Sequence, residues 1–114
     1  MFASALSALT LLLAQAGSQV APAEPTRVVC LGDSITAGAR IVQPERLGWS
    51  AQLGAWLNED PERSDVEVVG FGAGGATLLA KGDRPIQGTK AYTDALAKAC
   101  DHFVVMLGTN DTVQ

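Results

Sequence analysis

Three short stretches of this sequence place small and polar residues directly after an apolar run. They are Gly-Asp-Ser-Ile-Thr at 32–36, Gly-Phe-Gly-Ala-Gly-Gly at 70–75 and Gly-Thr-Asn-Asp at 108–111. Ser34 offers a hydroxyl for nucleophilic attack, Asn110 offers a side-chain amide donor, and the glycines let backbone N–H groups approach a ligand closely. Acyl transfer requires such a set, a nucleophile with several donors aimed at a developing oxyanion.

The apolar runs before these stretches predict three strands, Arg27–Leu31, Val66–Val69 and His102–Leu107. Two amphipathic helices are predicted between them, one ending near Asn58 and one within residues 89–101. Alternating strands and helices with continuously apolar strands predict a parallel sheet covered by helices on both faces. Because ligands bind at the carboxyl ends of the strands in such sheets, the three stretches should meet at one edge.

The first predicted helix contains both tryptophans of the chain. Leu47, Trp49, Leu53, Trp56 and Leu57 recur at helical spacing. The pattern predicts one continuous helix that packs all five side chains inward.

The three stretches together resemble the GDSL-type, or SGNH, hydrolases. The stretch around Ser34 is similar to the first conserved block of that family, Gly72 falls at the glycine of the second block, and residues 108–111 are similar to the third. The resemblance implies a three-layer α/β/α fold with a flavodoxin-like parallel sheet. It also implies an enzyme that hydrolyses esters or thioesters. It also implies that Ser34 is the nucleophile, and that the Ser34 and Gly72 N–H groups and the Asn110 side chain form the oxyanion hole.

In two respects this sequence departs from the family pattern. Gly70 stands where the second block often has Asn, and no Asp-x-x-His, the family's acid and base, occurs in the 114 residues. The resemblance makes Asp33 and Asp111 organisers of the loops. His102 is predicted at the amino end of its strand, too far from Ser34 to act as base. We therefore expect residues 27–114 to be the N-terminal part of an SGNH hydrolase domain whose C-terminal part is missing, inactive by itself.

The stretch Gly-Ala-Thr-Leu-Leu-Ala-Lys-Gly-Asp-Arg-Pro-Ile at 75–86 is also similar to secreted esterases thought to deacetylate sugars. This similarity implies O-acetylated carbohydrate as substrate. Three alternatives stay open: a lipase, an acyl-thioesterase, or a non-catalytic ligand-binding relative without the base. The charged turn at 81–84 is expected to be solvated, with substrate contact as the alternative. No metal or organic cofactor is implied.

A nucleotide-binding alternative comes from the same glycines. Gly70, Gly72 and Gly75 fit G-x-G-x-x-G after a strand, and Asp94 follows at about the spacing of the acidic residue in dinucleotide-binding folds. That motif should open a long helix, however, and Pro85 interrupts the segment. Dinucleotide binding is therefore disfavoured.

Composition and the N-terminus bound the remaining possibilities. The chain is long enough for one domain, carries a net charge of −4 and has no Lys/Arg cluster, so nucleic acid is not an expected partner. An apolar run at 2–14 followed by Ala-Gln-Ala predicts a signal peptide at 1–16, then a linker at 17–26, and a secreted or periplasmic protein. The run is too short for a stable membrane anchor. Cys30 and Cys100 could pair after export, but free buried thiols are the preferred prediction.

Overall fold

The computed structural model describes residues 24–63 and 65–112, so the predicted signal peptide and most of the predicted linker lie outside the described residues. The described strands are β1 (Thr26–Gly32), β2 (Val66–Gly72) and β3 (His102–Met106). The described α-helices are α1 (Ser34–Ala37), α2 (Pro44–Leu47), α3 (Trp49–Leu57) and α4 (Lys90–Ala97). Turns of 3₁₀ helix occupy Pro61–Arg63, Ile86–Gly88 and Thr109–Thr112.

The three strands form one parallel sheet in the order β2-β1-β3. The central strand β1 is buried from Val28 to Gly32, which is why its sequence is continuously apolar. Gly32 pairs with Gly72 on one side and with Met106 on the other. The carboxyl ends of all three strands therefore lie side by side, as predicted. The order 2-1-3 is the one that flavodoxin-like sheets begin with.

Helices cover both faces of this sheet. On one face Ala95 of α4 is fully buried in a cluster with Val29 and Leu31 of β1. On the other face α3 packs on β2, where a Cβ placed on Gly54 would lie 3.4 Å from the Val68 side chain. The predicted α/β architecture with three layers is confirmed.

Strand β2 is longer than predicted. It continues through Gly70 and Phe71 to Gly72, where the sequence predicted that the glycines would end the strand. A Cβ on Gly70 would lie 2.5 Å from Ser50 Oγ, and a Cβ on Gly72 would lie 2.1 Å from Ala37 N. Glycine is needed at both positions because the helices above the strand come too close for any side chain.

The predicted continuous helix is two helices, and this prediction was wrong. Gly48 separates α2 from α3 with an extended ψ of 154°, and its N–H still closes α2 by donating to Pro44 O at 2.8 Å. The break places Leu47 in α2 and the other four apolar residues in α3, and the five residues do not share one buried face. Leu47 is 48% exposed and Trp56 is 66% exposed, while Trp49 is partly buried.

The two cysteines differ in environment and are both free. Cys30 is fully buried in β1, as predicted, and this burial raises the pKa of its thiol. Cys100 is exposed just before β3, so the prediction of burial was wrong there. The reason is that β3 is an edge strand whose five residues are all exposed, and the segment leading into it is exposed as well.

Candidate active site

Ser34 is displayed where β1 turns into α1. Asp33 is 1% exposed and caps the helix, because its Oδ1 accepts a hydrogen bond from Ile35 N at 2.9 Å. Ser34 is the first helical residue and is partly exposed. Its hydroxyl makes no hydrogen bond to any described residue. The helix cap therefore belongs to Asp33 and leaves the Ser34 hydroxyl available.

The tight turn before Ser34 depends on Gly32. A Cβ at this position would lie 2.0 Å from Thr36 Oγ1 and 2.6 Å from Met106 O. Thr36 is itself buried, and its Oγ1 accepts a hydrogen bond from Trp49 Nε1 at 3.1 Å. The first turn of α1 is therefore packed against the sheet end from below and fixed by α3 from the side.

Gly72 lies at the last position of β2, directly beneath α1. Its Cα hydrogen faces Ala37 N at a distance that admits no side chain. The next residue, Ala73, donates its N–H to Gly32 O at 3.0 Å. Since N–H groups alternate in direction along a parallel strand, the Gly72 N–H points away from β1. The visible role of Gly72 is therefore close packing between strand and helix.

The turn after β2 brings the second stretch to the site. Ala76 donates its N–H to Ala73 O at 3.1 Å, and Gly75, at the third position, has φ 72°, which is typical of a type II turn. A Cβ on Gly74 or Gly75 would meet nothing within 4 Å. Positive φ rather than crowding is thus the reason for a glycine at 75.

Asn110 joins the three stretches. It lies in the 3₁₀ turn Thr109–Thr112 after β3, and its Nδ2 donates to Ala76 O at 2.9 Å. The same nitrogen lies 3.4 Å from Asp33 Oδ2. One amide group therefore contacts the residue before Ser34 and the turn that follows β2, although Asp33 and Asn110 are 77 positions apart in the sequence.

Asp111 fastens its own loop, after β3, to the loop after β2. Its carboxylate accepts hydrogen bonds from Leu78 N at 3.0 Å and Leu79 N at 2.8 Å. These two backbone donors lower the pKa of Asp111 from its ordinary value. The prediction that Asp33 and Asp111 organise the loops is confirmed by these contacts.

The structure thus brings the Ser34 loop and Asn110 together, whereas Gly72 lies within strand β2. The sequence analysis did not predict that Asn110 contacts the turn at 73–76, which belongs to the second stretch. A signal was present, because a Gly-Gly pair immediately after a strand indicates a turn that needs positive φ.

Comparison with known proteins agrees with the three-stretch pattern. The GDSL-like lipase/acylhydrolase family profile matches residues 30–114. The chain belongs to this family. It is also 41% identical over 86 residues to an acetylxylan esterase of Xylanibacter ruminicola. That match covers 75% of this chain but 17% of the esterase, so the chain spans a small part of that relative's length. No solved structure matches the chain.

His102 lies at the end of the sheet opposite Ser34. It pairs in register with Val28, four strand residues before Gly32, so about 13 Å of strand separates its level from the edge that carries Ser34. It is exposed and lines a cleft of about 380 Å³ together with Arg27 and Asp101. The predicted place of His102, at the start of its strand and out of reach of Ser34, is confirmed.

The rival reading as a dinucleotide-binding fold lacks its helix. In the described structure, residues 73–89 form turns, an isolated bridge between Thr77 and Pro85 and a 3₁₀ turn, and the next α-helix begins at Lys90. Asp94 lies within that helix and pairs with Lys90.

Residues 24–63 and 65–112 contain no group of three His, Cys, Asp or Glu side chains that could hold a metal ion. None of the helices described is long and apolar enough to cross a membrane.

Proposed function

We propose that this chain supplies the nucleophile and the oxyanion donors of a serine esterase. The observation that carries the proposal is the Asn110 amide, which hydrogen-bonds the turn after β2 and lies 3.4 Å from Asp33, next to Ser34. A free hydroxyl, a helix-start amide and a side-chain amide are thereby gathered at the switch point between β1 and β3, where α/β sheets bind ligands.

In the proposed reaction Ser34 Oγ attacks the ester carbonyl carbon and its proton passes to a general base. The carbonyl oxygen becomes an oxyanion that accepts hydrogen bonds from the Ser34 N–H and from Asn110 Nδ2. The Ser34 N–H is suited to this because the first amides of a helix have no acceptor within the helix. The tetrahedral intermediate collapses, the alcohol leaves with a proton, and water then releases the acid from the acyl-enzyme.

One of the two N–H groups of the Asn110 side chain is available as a donor for this reaction. Its contact with Ala76 O is 2.9 Å, whereas its contact with Asp33 Oδ2 is 3.4 Å and therefore weak. The first contact holds the side chain in place. The second N–H can move to an oxyanion without breaking a good hydrogen bond.

The glycine donor has two candidates. The family resemblance proposes the Gly72 N–H, although this group points away from β1. The positive φ and open surroundings of Gly75 favour its N–H as the second candidate. The affinity for a boronic acid, which mimics the tetrahedral intermediate, separates them. Gly75→Ala should weaken that affinity if Gly75 is the donor, and an affinity equal to that of wild type leaves the role to Gly72.

The general base is proposed to be the Asp-His pair that the family resemblance implies. No Asp-x-x-His occurs in the 114 residues, and His102, the one histidine of the sequence, lies too far from Ser34. A serine hydroxyl without an adjacent base is a poor nucleophile, so we expect the 114-residue chain alone to be inactive or nearly so.

O-acetyl groups on carbohydrate are the proposed substrate. The proposal is supported by the match to a protein named acetylxylan esterase, and by the resemblance of residues 75–86 to sugar deacetylases. Hydrolysis of acetylated xylan in preference to long-chain acyl esters or acyl thioesters is the expected result. A preference for long acyl chains or thioesters would instead assign the lipase or thioesterase alternative.

The nucleophile is tested with a fluorophosphonate probe on the full-length gene product. Wild type and Ser50→Ala, a control at another partly buried serine, should be labelled, and Ser34→Ala should not. Ser34→Ala should fold normally because Asp33, not Ser34, caps α1. A wild type that is not labelled would support the non-catalytic ligand-binding alternative.

Export is proposed from the apolar run at 2–14 and the Ala-Gln-Ala that follows it. Cleavage after Ala16 would give a secreted or periplasmic protein that begins at Gly17. N-terminal sequencing of the protein recovered from the periplasm or the medium checks this. Protein found only inside the cell with its first residues intact would contradict it.

A further inference from the structure

The guanidinium of Arg84 holds the turn that follows β2. Its Nη1 donates a hydrogen bond to Gly74 O, ten positions earlier in the sequence. The Arg84 backbone is fixed as well, because its carbonyl accepts from Thr77 N at 2.8 Å and Thr77 is 3% exposed. Lys81, Asp83 and Arg84 are exposed, as expected for a solvated turn, and Arg84 in addition holds this loop.

The carbonyl that Arg84 holds belongs to the same peptide unit as the Gly75 N–H. A trans peptide is planar, so its C=O and N–H point in opposite directions. In a type II turn this central peptide is the one that is free to flip, which would convert the turn to type I. A hydrogen bond on Gly74 O therefore fixes the direction of the Gly75 N–H. It also polarises the amide, which makes that N–H a stronger donor.

The opposite side of the same loop is held by residues after β3. Asn110 Nδ2 donates to Ala76 O, and the Asp111 carboxylate accepts from Leu78 and Leu79. These contacts fix the loop from residue 76 onward. Arg84 is the described side chain that holds its first half, where the two adjacent glycines leave the backbone most free to move.

We propose that Arg84 is a positioning residue for ester hydrolysis: by holding the Gly74 carbonyl it aims the Gly75 N–H at the oxyanion. The inference rests on the proposed esterase function and deepens it. Arg84 acts through the peptide and does not touch the substrate. Its loss should therefore lower kcat and leave KM nearly unchanged, because the donor matters most when the oxyanion forms.

The test measures kcat and KM for 4-nitrophenyl acetate with the full-length gene product. Arg84→Ala should lower kcat about tenfold, which corresponds to one hydrogen bond of ordinary strength. Arg84→Lys should recover part of the loss because an ammonium can still donate to Gly74 O. Millimolar methylguanidinium should partly restore Arg84→Ala but not Asn110→Ala. Arg46→Ala, which removes an exposed guanidinium bonded to Gln43, is the control and should behave as wild type.

A purely structural role would give a different pattern. If Arg84→Ala keeps kcat within about twofold of wild type, or loses activity through a raised KM and a lower Tm without rescue by methylguanidinium, the inference is overturned. Ser34→Ala, assayed in parallel, separates the two proposals. An inactive Ser34→Ala beside a fully active Arg84→Ala overturns only the role of Arg84. A wild type without activity or probe labelling overturns both.

Discussion

Replacing Asn110 with Ala removes a proposed oxyanion donor and a loop contact in one step. The contact is a single good hydrogen bond, Nδ2 to Ala76 O at 2.9 Å, since the approach to Asp33 Oδ2 at 3.4 Å is weak. Its loss should lower the free energy of unfolding by about 1 kcal/mol. The loss of an oxyanion donor should lower kcat by roughly 10²–10³, equivalent to about 2.7–4 kcal/mol in the transition state. The kinetic effect should therefore exceed the stability effect.

Asn58 offers a matched control at the other end of the sheet. Its Nδ2 donates to Gly54 O at 2.7 Å and to Val66 O at 2.8 Å, and its Oδ1 accepts from the N–H groups of Asp65 and Val66. Asn58→Ala should therefore lower the free energy of unfolding by roughly 2–3 kcal/mol, more than Asn110→Ala does. It should leave kcat unchanged, because Asn58 lies at the amino end of β2.

The assay compares kcat for 4-nitrophenyl acetate with thermal unfolding for both variants of the full-length gene product, at a temperature well below either Tm. The expected pattern is a large loss of kcat with a small loss of Tm for Asn110→Ala, and the opposite for Asn58→Ala. An Asn110→Ala variant with kcat within threefold of wild type would refute the oxyanion role. Equal losses of kcat in both variants would show that stability, not donor chemistry, governs the rate.

Three further predictions follow from individual contacts. Two backbone amides depress the pKa of Asp111, so its contribution to stability is present above about pH 4 and is lost as pH falls through the lowered pKa. Unfolding curves of wild type and Asp111→Asn should therefore differ at neutral pH and converge in acid. Gly72→Ala places its Cβ 2.1 Å from a backbone nitrogen of α1, whereas Gly75→Ala causes no clash and costs about 1–2 kcal/mol of left-handed backbone strain. Gly72→Ala should therefore lower Tm more than Gly75→Ala does, and equal shifts in Tm would contradict the close packing at Gly72. A thiol reagent should modify the exposed Cys100 in the native protein, whereas the buried Cys30, whose pKa is raised, should react only after unfolding, as mass spectrometry of the two peptides would show.

The elements that the sequence predicted well are those with a strong local pattern. All three strands lie within three residues of their predicted positions, because each contains a continuous apolar run. Family membership was also predictable, since the three stretches lie in order after the strands. The helix at 44–57 was predicted less well. Its apolar spacing hides the break at Gly48, whose extended ψ depends on the chain around it.

The sequence by itself determined the parallel sheet, the edge at which the three stretches meet and the presence of a serine and an asparagine there. Only the tertiary structure decided how the polar groups are shared. Asp33 caps α1 and also approaches an amide 77 positions away, Gly72 packs under a helix, and Arg84 and Asn110 hold opposite sides of one turn. The physical reason is that local patterns fix which segments become strands, whereas hydrogen bonds between distant loops depend on strand register and on the direction of single peptide planes.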